Sequence, residues 1–155
     1  MFNKKTKTKK METKNETMIE IPSGYALCMR DDCAVCQHCL RHLAYEKRKQ
    51  TEDFLSLVNP LRTESSEKCK FFRSDALATY AKGFTRMQQE MLPRQYQEFM
   101  IRLIGKFGRT GYFERRRGER LCTPKEIEIV RSVLQELGLP QLEFDNYLQK
   151  HNFWD

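Results

Sequence analysis

The residues of this chain that are best suited to chemistry are the cysteines of its N-terminal half. Four of them fall within twelve residues, and a fifth follows after 29 intervening residues. In chain order these are Cys28, Cys33, Cys36, Cys39 and Cys69. A buried cysteine is often only a small apolar residue, but a core does not need thiols at this density. Because thiolates bind Zn²⁺ tetrahedrally, the cluster predicts a structural zinc site.

The spacing leaves the choice of ligands open, since five cysteines compete for four tetrahedral positions. The three cysteines spaced by three would share one face of a helix, with Cys28 and Cys69 supplied by loops. Such a site would tie the N-terminal helix to the rest of the chain with roughly 10–16 kcal/mol of apparent binding energy. His38 and His42 are alternative ligands, although histidines on a helix face are more often solvated.

An iron–sulfur cluster is the rival cofactor. The spacing from Cys28 through Cys33 to Cys36, with a distant Cys69, matches that of plant-type ferredoxins. The basic and helical surroundings favour zinc over this cluster. A thiol redox function is a further alternative, because two CxxC pairs overlap between Cys33 and Cys39. However, the βαβ context of a thioredoxin-like motif is missing.

The segment 102–120 is a second candidate site. It holds seven Arg or Lys residues against Glu114 and Glu119. Guanidinium groups bind phosphates in a fork, and an aromatic ring can stack on a base. The segment therefore predicts a DNA or RNA contact through Arg109, Tyr112, Arg115, Arg116, Arg117 and Arg120. The structural alternative is a solvated, arginine-rich helix face that makes ordinary ion pairs and binds no nucleic acid.

The same segment fits a helix-turn-helix motif. Residues 94–107 would form the first helix and residues 110–117 the recognition helix. In this interpretation Arg102 and Arg115 take positions where a small and an apolar residue normally pack. Both arginines would therefore have to point out of the core.

The apolar pattern predicts a mainly α fold: a small helical domain with an N-terminal cysteine-rich knuckle and at most one or two short strands. Helices are expected over 33–50, 75–91, 94–107 and 123–137, since apolar residues recur there at three and four residues. The sequence from Thr123 to Glu126 has the form of a capping box with a proline in the first turn.

Three regions follow from these elements. Residues 1–18 are expected to be a disordered basic tail, residues 19–72 a cysteine-rich metal-binding module, and residues 73–155 a helical domain with helix-turn-helix character. The positive charge in the formal net charge of +7 is concentrated in the tail and in one internal stretch, residues 94–131. A localised basic surface indicates a polyanionic partner.

We expect the protein to be cytoplasmic and to have no membrane association. No stretch approaches the roughly 18 apolar residues that a membrane helix needs, and no apolar region of a secretory signal follows the N-terminal lysines. In a reducing compartment the six cysteines should be free or metal-bound rather than paired as disulfides.

No catalytic constellation is evident, so an enzyme is not favoured. Phosphate-binding glycine loops, the helical zinc-protease motif and the nucleophile elbow are all missing. Cys122 precedes a helix beside Arg120, but no histidine is placed to serve as its base. We expect a non-enzymatic binding protein with nucleic acid as the leading partner. The alternatives are a metal-stabilised protein-interaction module and an iron–sulfur or thiol redox protein.

Short motifs are spread along the chain from Ile19 onward. They are Gly24-Tyr25-x2-Cys28-x4-Cys33-x5-Cys39-Leu40-Arg41, Asn59-Pro60, Lys68-Cys69, Phe107-Gly108-Arg109, Arg117-Gly118 and Pro124-Lys125-Glu126. These motifs resemble a family of short uncharacterised proteins from Bacteroidota. The resemblance implies that four cysteines hold the metal, namely Cys28, Cys33, Cys39 and Cys69. Cys36 remains an alternative ligand, Cys122 lies outside the pattern, and the resemblance implies no activity.

Overall fold

The structure, a computed structural model, describes residues 19–154. Their regular elements are α1 (Leu40–Arg48), β1 (Leu77–Lys82), α2 (Pro93–Phe107), α3 (Arg109–Arg117), α4 (Pro124–Glu136) and β2 (Asn146–His151). Short 3-10 helices lie at Cys36–His38, Pro60–Arg62 and Arg86–Glu90. The predicted tail 1–18 lies outside the described residues. Among those residues, no helix has the length and apolar character to cross a membrane.

The fold is mixed α/β, and the prediction of a mainly α fold is wrong. Strands β1 and β2 pair antiparallel, with Leu77 opposite His151 and Lys82 opposite Asn146. The helix expected over 75–91 is therefore a strand in its first half. Its apolar residues happen to recur at helical spacing, but the strand is stabilised by a partner far along the chain, which local periodicity does not contain.

Helix α1 is shorter than expected. It begins at Leu40, because Cys36–His38 is a 3-10 helix and Cys39 has an extended backbone with φ −104° and ψ 116°. The cysteines therefore precede the helix and do not share one of its faces. Turns bring them together instead.

The second half of the chain agrees with its periodicity. Helices α2 and α4 bury the apolar faces that the spacing indicates, with Phe99 and Leu103 from one and Val130 and Leu134 from the other in the core. The capping box is confirmed, because the Thr123 hydroxyl accepts from the Glu126 amide at 3.3 Å and the Glu126 carboxylate accepts from the Thr123 amide at 3.0 Å.

Residues 19–154 contain two clusters of buried apolar residues. The larger cluster joins β1, α2, α3 and α4, and it contains fourteen buried residues. The smaller cluster surrounds α1 and contains five, namely Tyr25, Leu27, Leu40, Ala44 and Phe153. Phe153 comes from the end of the chain, so the C-terminal segment closes the N-terminal cluster. The small size of this cluster bears directly on the cysteines beside it.

Candidate metal centre

The five N-terminal cysteines line one cavity of about 20 Å³. Cys69 reaches this cavity although 29 residues separate it from Cys39. The volume is close to that of a single water-sized sphere. The structure thus brings together the residues that the sequence singled out, while the metal itself stays a prediction.

Tight turns place Cys33, Cys36 and Cys39 at the cavity. The amide of Cys36 donates to the carbonyl of Cys33 at 3.2 Å, and the amide of Cys39 donates to the carbonyl of Cys36 at 3.1 Å. Cys39 then forms a bridge with Ser74, and Leu40 donates to the Arg73 carbonyl at 2.7 Å. The cavity wall is therefore tied to the segment that leads into β1.

The other two cysteines come from separate loops. Leu27 donates to Ser56 at 2.8 Å in a bridge to the Leu57 segment, and this places Cys28 at the cavity. The amide of Cys69 donates to the Ser66 carbonyl at 3.1 Å. Three chain segments therefore supply the thiols.

Two arginines link these segments. Arg41 donates to the Phe71 carbonyl at 2.8 Å and to the Ala26 carbonyl at 2.7 Å. Arg30 donates to the Thr63 carbonyl at 3.2 Å. Both side chains also line the cavity. Arg30 is paired with Asp32 at 2.7 Å, whereas Arg41 places positive charge beside the thiols, which suits a Zn²⁺ ion whose four thiolates leave a net negative charge.

The thiol of Cys28 has other thiols as electrostatic neighbours. Burial raises its pKa, a hydrogen bond from the Arg30 backbone lowers it, and the charges of Cys39, Cys33 and Cys69 raise it further, so that the net pKa is raised. These four cysteines are the set that the resemblance implies. Neighbouring thiolates repel one another, and a bound cation removes that repulsion.

Cys36 lines the same cavity and, like Cys33, whose Sγ donates to the Glu64 carbonyl at 3.9 Å, it has a protein partner for its sulfur. It is 8% exposed, and its Sγ donates to the Asp31 carbonyl at 3.7 Å. The Gln37 side chain donates to this sulfur at 3.8 Å. Cys36 already has protein partners, and it remains the alternative ligand.

A group that the sequence did not single out lies beside these thiols. Within residues 19–154, the ligand atoms of Asp31, His42 and Glu46 all lie within 4.8 Å of one another, and the thiols form no such group. A zinc ion would therefore have to draw the sulfurs closer together. The expectation of a solvated His42 is wrong, since its side chain is only 4% exposed. The available signal was the spacing of His42 and Glu46, which places both on one helix face.

The predicted nucleic-acid residues divide into an exposed and a buried set. Arg109, Arg117 and Arg120 are exposed, and Arg116 is half-buried. Arg117 pairs with Glu119 at 2.7 Å. These residues lie on α3 and in the turn that follows it, so they can contact a polyanion.

Tyr112 and Arg115 lie in the core. Tyr112 is fully buried and its hydroxyl lies 3.2 Å from that of Tyr96, so its ring is not open to a base. Arg115 is 4% exposed and binds Glu126 at 2.5 Å. The helix-turn-helix interpretation required Arg102 and Arg115 to point outwards. Arg102 is exposed and pairs with Glu136, whereas Arg115 is not exposed.

Cys122 is separate from the metal cavity. It is fully buried in the larger apolar cluster, and its backbone forms a bridge with Ala81. Burial, followed by the charge of Glu126, raises the pKa of its thiol to about 12. A thiol in this state is not a nucleophile at neutral pH, and Cys122 acts as a small apolar side chain.

The fold and the site together define a mixed α/β protein with a thiol-lined cavity in its N-terminal half. The chain belongs to the family of unknown function DUF6078, whose model matches residues 11–153. This confirms that it is a member of an uncharacterised family. No curated protein and no solved structure has significant similarity to it. No activity is known for this family.

Proposed function

We propose that this protein is a non-enzymatic binding protein whose N-terminal half is held together by a structural zinc ion on Cys28, Cys33, Cys39 and Cys69. The observation that carries the proposal is the convergence of cysteines from three chain segments on one small cavity. Structural zinc sites use four protein ligands and need no open position. The resemblance to the uncharacterised family implies this set, and Cys36 is the alternative ligand.

Four thiolates from three chain segments can complete one tetrahedral zinc site, and an iron–sulfur cluster is the alternative that also uses four thiolates. The small apolar cluster around α1 gives a reason for a metal, because five buried residues are few for a segment of this length. A zinc ion would cross-link three loops that hydrophobic burial alone holds weakly.

Metal analysis of the full chain tests this proposal. Protein purified anaerobically without added metal is expected to contain one zinc per chain and to show no visible absorbance. Iron with inorganic sulfide and a brown colour would replace zinc with a redox cluster. Metal-free protein whose six thiols all titrate after denaturation would refute a metal site.

A polyanionic partner, DNA or RNA, is the second part of the proposal. The supporting observation is that Arg109 and Arg120 are exposed and make no ion pair among the described residues, with Arg116 and Arg117 beside them. Arg116 stacks over Tyr96 and donates to Gln88, and it too makes no ion pair within residues 19–154. A protein-interaction module without nucleic acid is the alternative that the next experiment separates.

We expect duplex DNA or RNA to bind with an affinity that falls steeply as salt rises. Changing Arg109, Arg117 and Arg120 together to glutamine should weaken binding about tenfold or more and reduce the salt dependence, since each lost phosphate contact lowers the slope by about 0.9. Filter binding over a range of salt concentrations measures both quantities.

The matched control removes the same charge elsewhere. Lys47, Arg62 and Lys68 are also exposed but belong to the N-terminal half. Their triple glutamine variant is expected to bind as the wild type does. An equal loss of affinity in both variants would show that binding depends on the overall charge of the protein and not on these three arginines. Absence of binding at low salt would leave the protein-interaction module as the function.

A further inference from the structure

His42 is held in one orientation. Its Nδ1 lies 3.1 Å from the carbonyl oxygen of Cys28. A carbonyl oxygen only accepts, so Nδ1 carries the hydrogen. Histidine ligands of metals commonly donate their second ring N–H to a backbone carbonyl in this way, which directs the lone pair of the other nitrogen at the ion. The other nitrogen, Nε2, faces two carboxylates.

Those carboxylates come from two elements. Asp31 Oδ1 lies 3.6 Å from Nε2, and Glu46 Oε1 lies 3.9 Å from it. Both distances exceed the 2.7–3.2 Å range typical of N–H···O hydrogen bonds. They lie closer to the separation of about 3.0–3.5 Å between two ligands of one ion at zinc–nitrogen and zinc–oxygen bond lengths. A cation between the three atoms would also remove the repulsion between the carboxylates and the nitrogen lone pair.

We propose that Asp31, His42 and Glu46 form a second metal site, distinct from the thiol cavity, for a divalent transition ion such as Zn²⁺ or Co²⁺. The imidazole and the two carboxylates supply three ligands, and the donor set is typical of these ions. Asp31 is 80% exposed and Glu46 40% exposed, so water completes the coordination sphere. The site is solvent-accessible on one side and anchored by the buried imidazole on the other.

Lys49 competes with the ion for one ligand. Its ammonium lies 2.7 Å from the same oxygen of Glu46 that faces His42. Metal binding displaces this contact, since a cation and an ammonium cannot share the oxygen at close range. Lys49→Met should therefore strengthen metal binding. A gain in metal affinity on removal of Lys49 is not expected if Asp31, His42 and Glu46 merely form surface ion pairs.

Titration of the full chain with Co²⁺ tests the site. Equilibrium dialysis counts the bound ions, and absorption separates the ligand types, because thiolate ligands give intense charge-transfer bands while nitrogen and oxygen ligands give only weak bands. The wild type is expected to bind one saturable ion per chain without charge-transfer absorption. Asp31→Asn and His42→Gln should lower the affinity for this ion about tenfold or more, and Lys49→Met should raise it.

The control is His38→Gln. His38 is 76% exposed and lies 3.4 Å from Asp75, so it is a histidine with an acidic neighbour outside the site. The His38→Gln variant should bind Co²⁺ with the affinity of the wild type. Asp31→Asn keeps the test valid if the buried His42 variant fails to fold. The second site would be contradicted if the wild type bound no Co²⁺ of the kind that lacks charge-transfer bands. It would also be contradicted if Asp31→Asn bound that ion as tightly as the wild type does. Charge-transfer bands would report Co²⁺ bound by the thiols, and that ion is counted apart from the one at Asp31, His42 and Glu46.

Discussion

Cys39→Ser is expected to abolish zinc binding and to unfold the N-terminal half of the protein while leaving the larger cluster intact. Loss of one thiolate opens the tetrahedral site, and a structural zinc contributes roughly 10–16 kcal/mol of apparent binding energy. That is comparable to the entire 5–15 kcal/mol by which typical domains are stable. Metal content, near-ultraviolet circular dichroism and amide hydrogen exchange together measure the effect, which should be confined to residues near α1.

Cys36→Ser and Cys122→Ala are the matched controls. Cys36 lines the same cavity but lies outside the ligand set that the resemblance implies, so its serine variant should keep the zinc. Cys122 lies in the other cluster, and its variant should cost no more than a small core truncation. Zinc loss from Cys36→Ser with retention in Cys39→Ser would replace Cys39 by Cys36 in the ligand set. Retention of zinc in both would contradict the site.

The sequence predicted the helices of the second half because their cores are built from local repeats. In α4 the buried residues Ile127, Val130, Val133 and Leu134 follow helical spacing, and the capping box fixes the first turn. Strand β1 was misassigned since its stability comes from β2, and no local pattern in Leu77–Lys82 specifies that partner. Tertiary pairing overrides propensity in such segments.

The candidate site was predictable only where composition was unusual. Cysteines at high density have few uses, so their convergence could be expected from type alone. Asp31, His42 and Glu46 are common residue types, and what distinguishes them is the burial of His42 and its bond to the Cys28 carbonyl. The opposite holds at Tyr112 and Arg115, where the basic aromatic motif predicts a binding surface but both side chains are buried.

Arg115→Met is expected to destabilise the larger cluster by about 3–5 kcal/mol, because removing one partner of a buried ion pair leaves the other charge uncompensated. Arg115 also donates to the Gly111 carbonyl at 2.9 Å and stacks over Phe107, so its loss removes these two contacts as well. Chemical denaturation of wild type and variant measures the difference in unfolding free energy. A stable variant with weakened nucleic-acid binding would instead make Arg115 a binding residue.

Glu126→Gln in the same chain shows whether the uncompensated charge is the cause. Glutamine keeps the capping role towards Thr123 and removes the charge, so the double variant should recover part of the lost stability.

The pKa of Glu126 gives the pair a dependence on pH. Burial raises the pKa of Glu126, but hydrogen bonds from Arg115 and Thr123 outweigh burial and lower the net value. A lowered folded-state pKa stabilises the protein above the unfolded-state value of about 4.3, and this contribution is lost as pH falls through the folded-state pKa. Wild type should therefore lose stability in acid more steeply than Glu126→Gln. Equal acid profiles would show that the pair contributes through packing and not through charge.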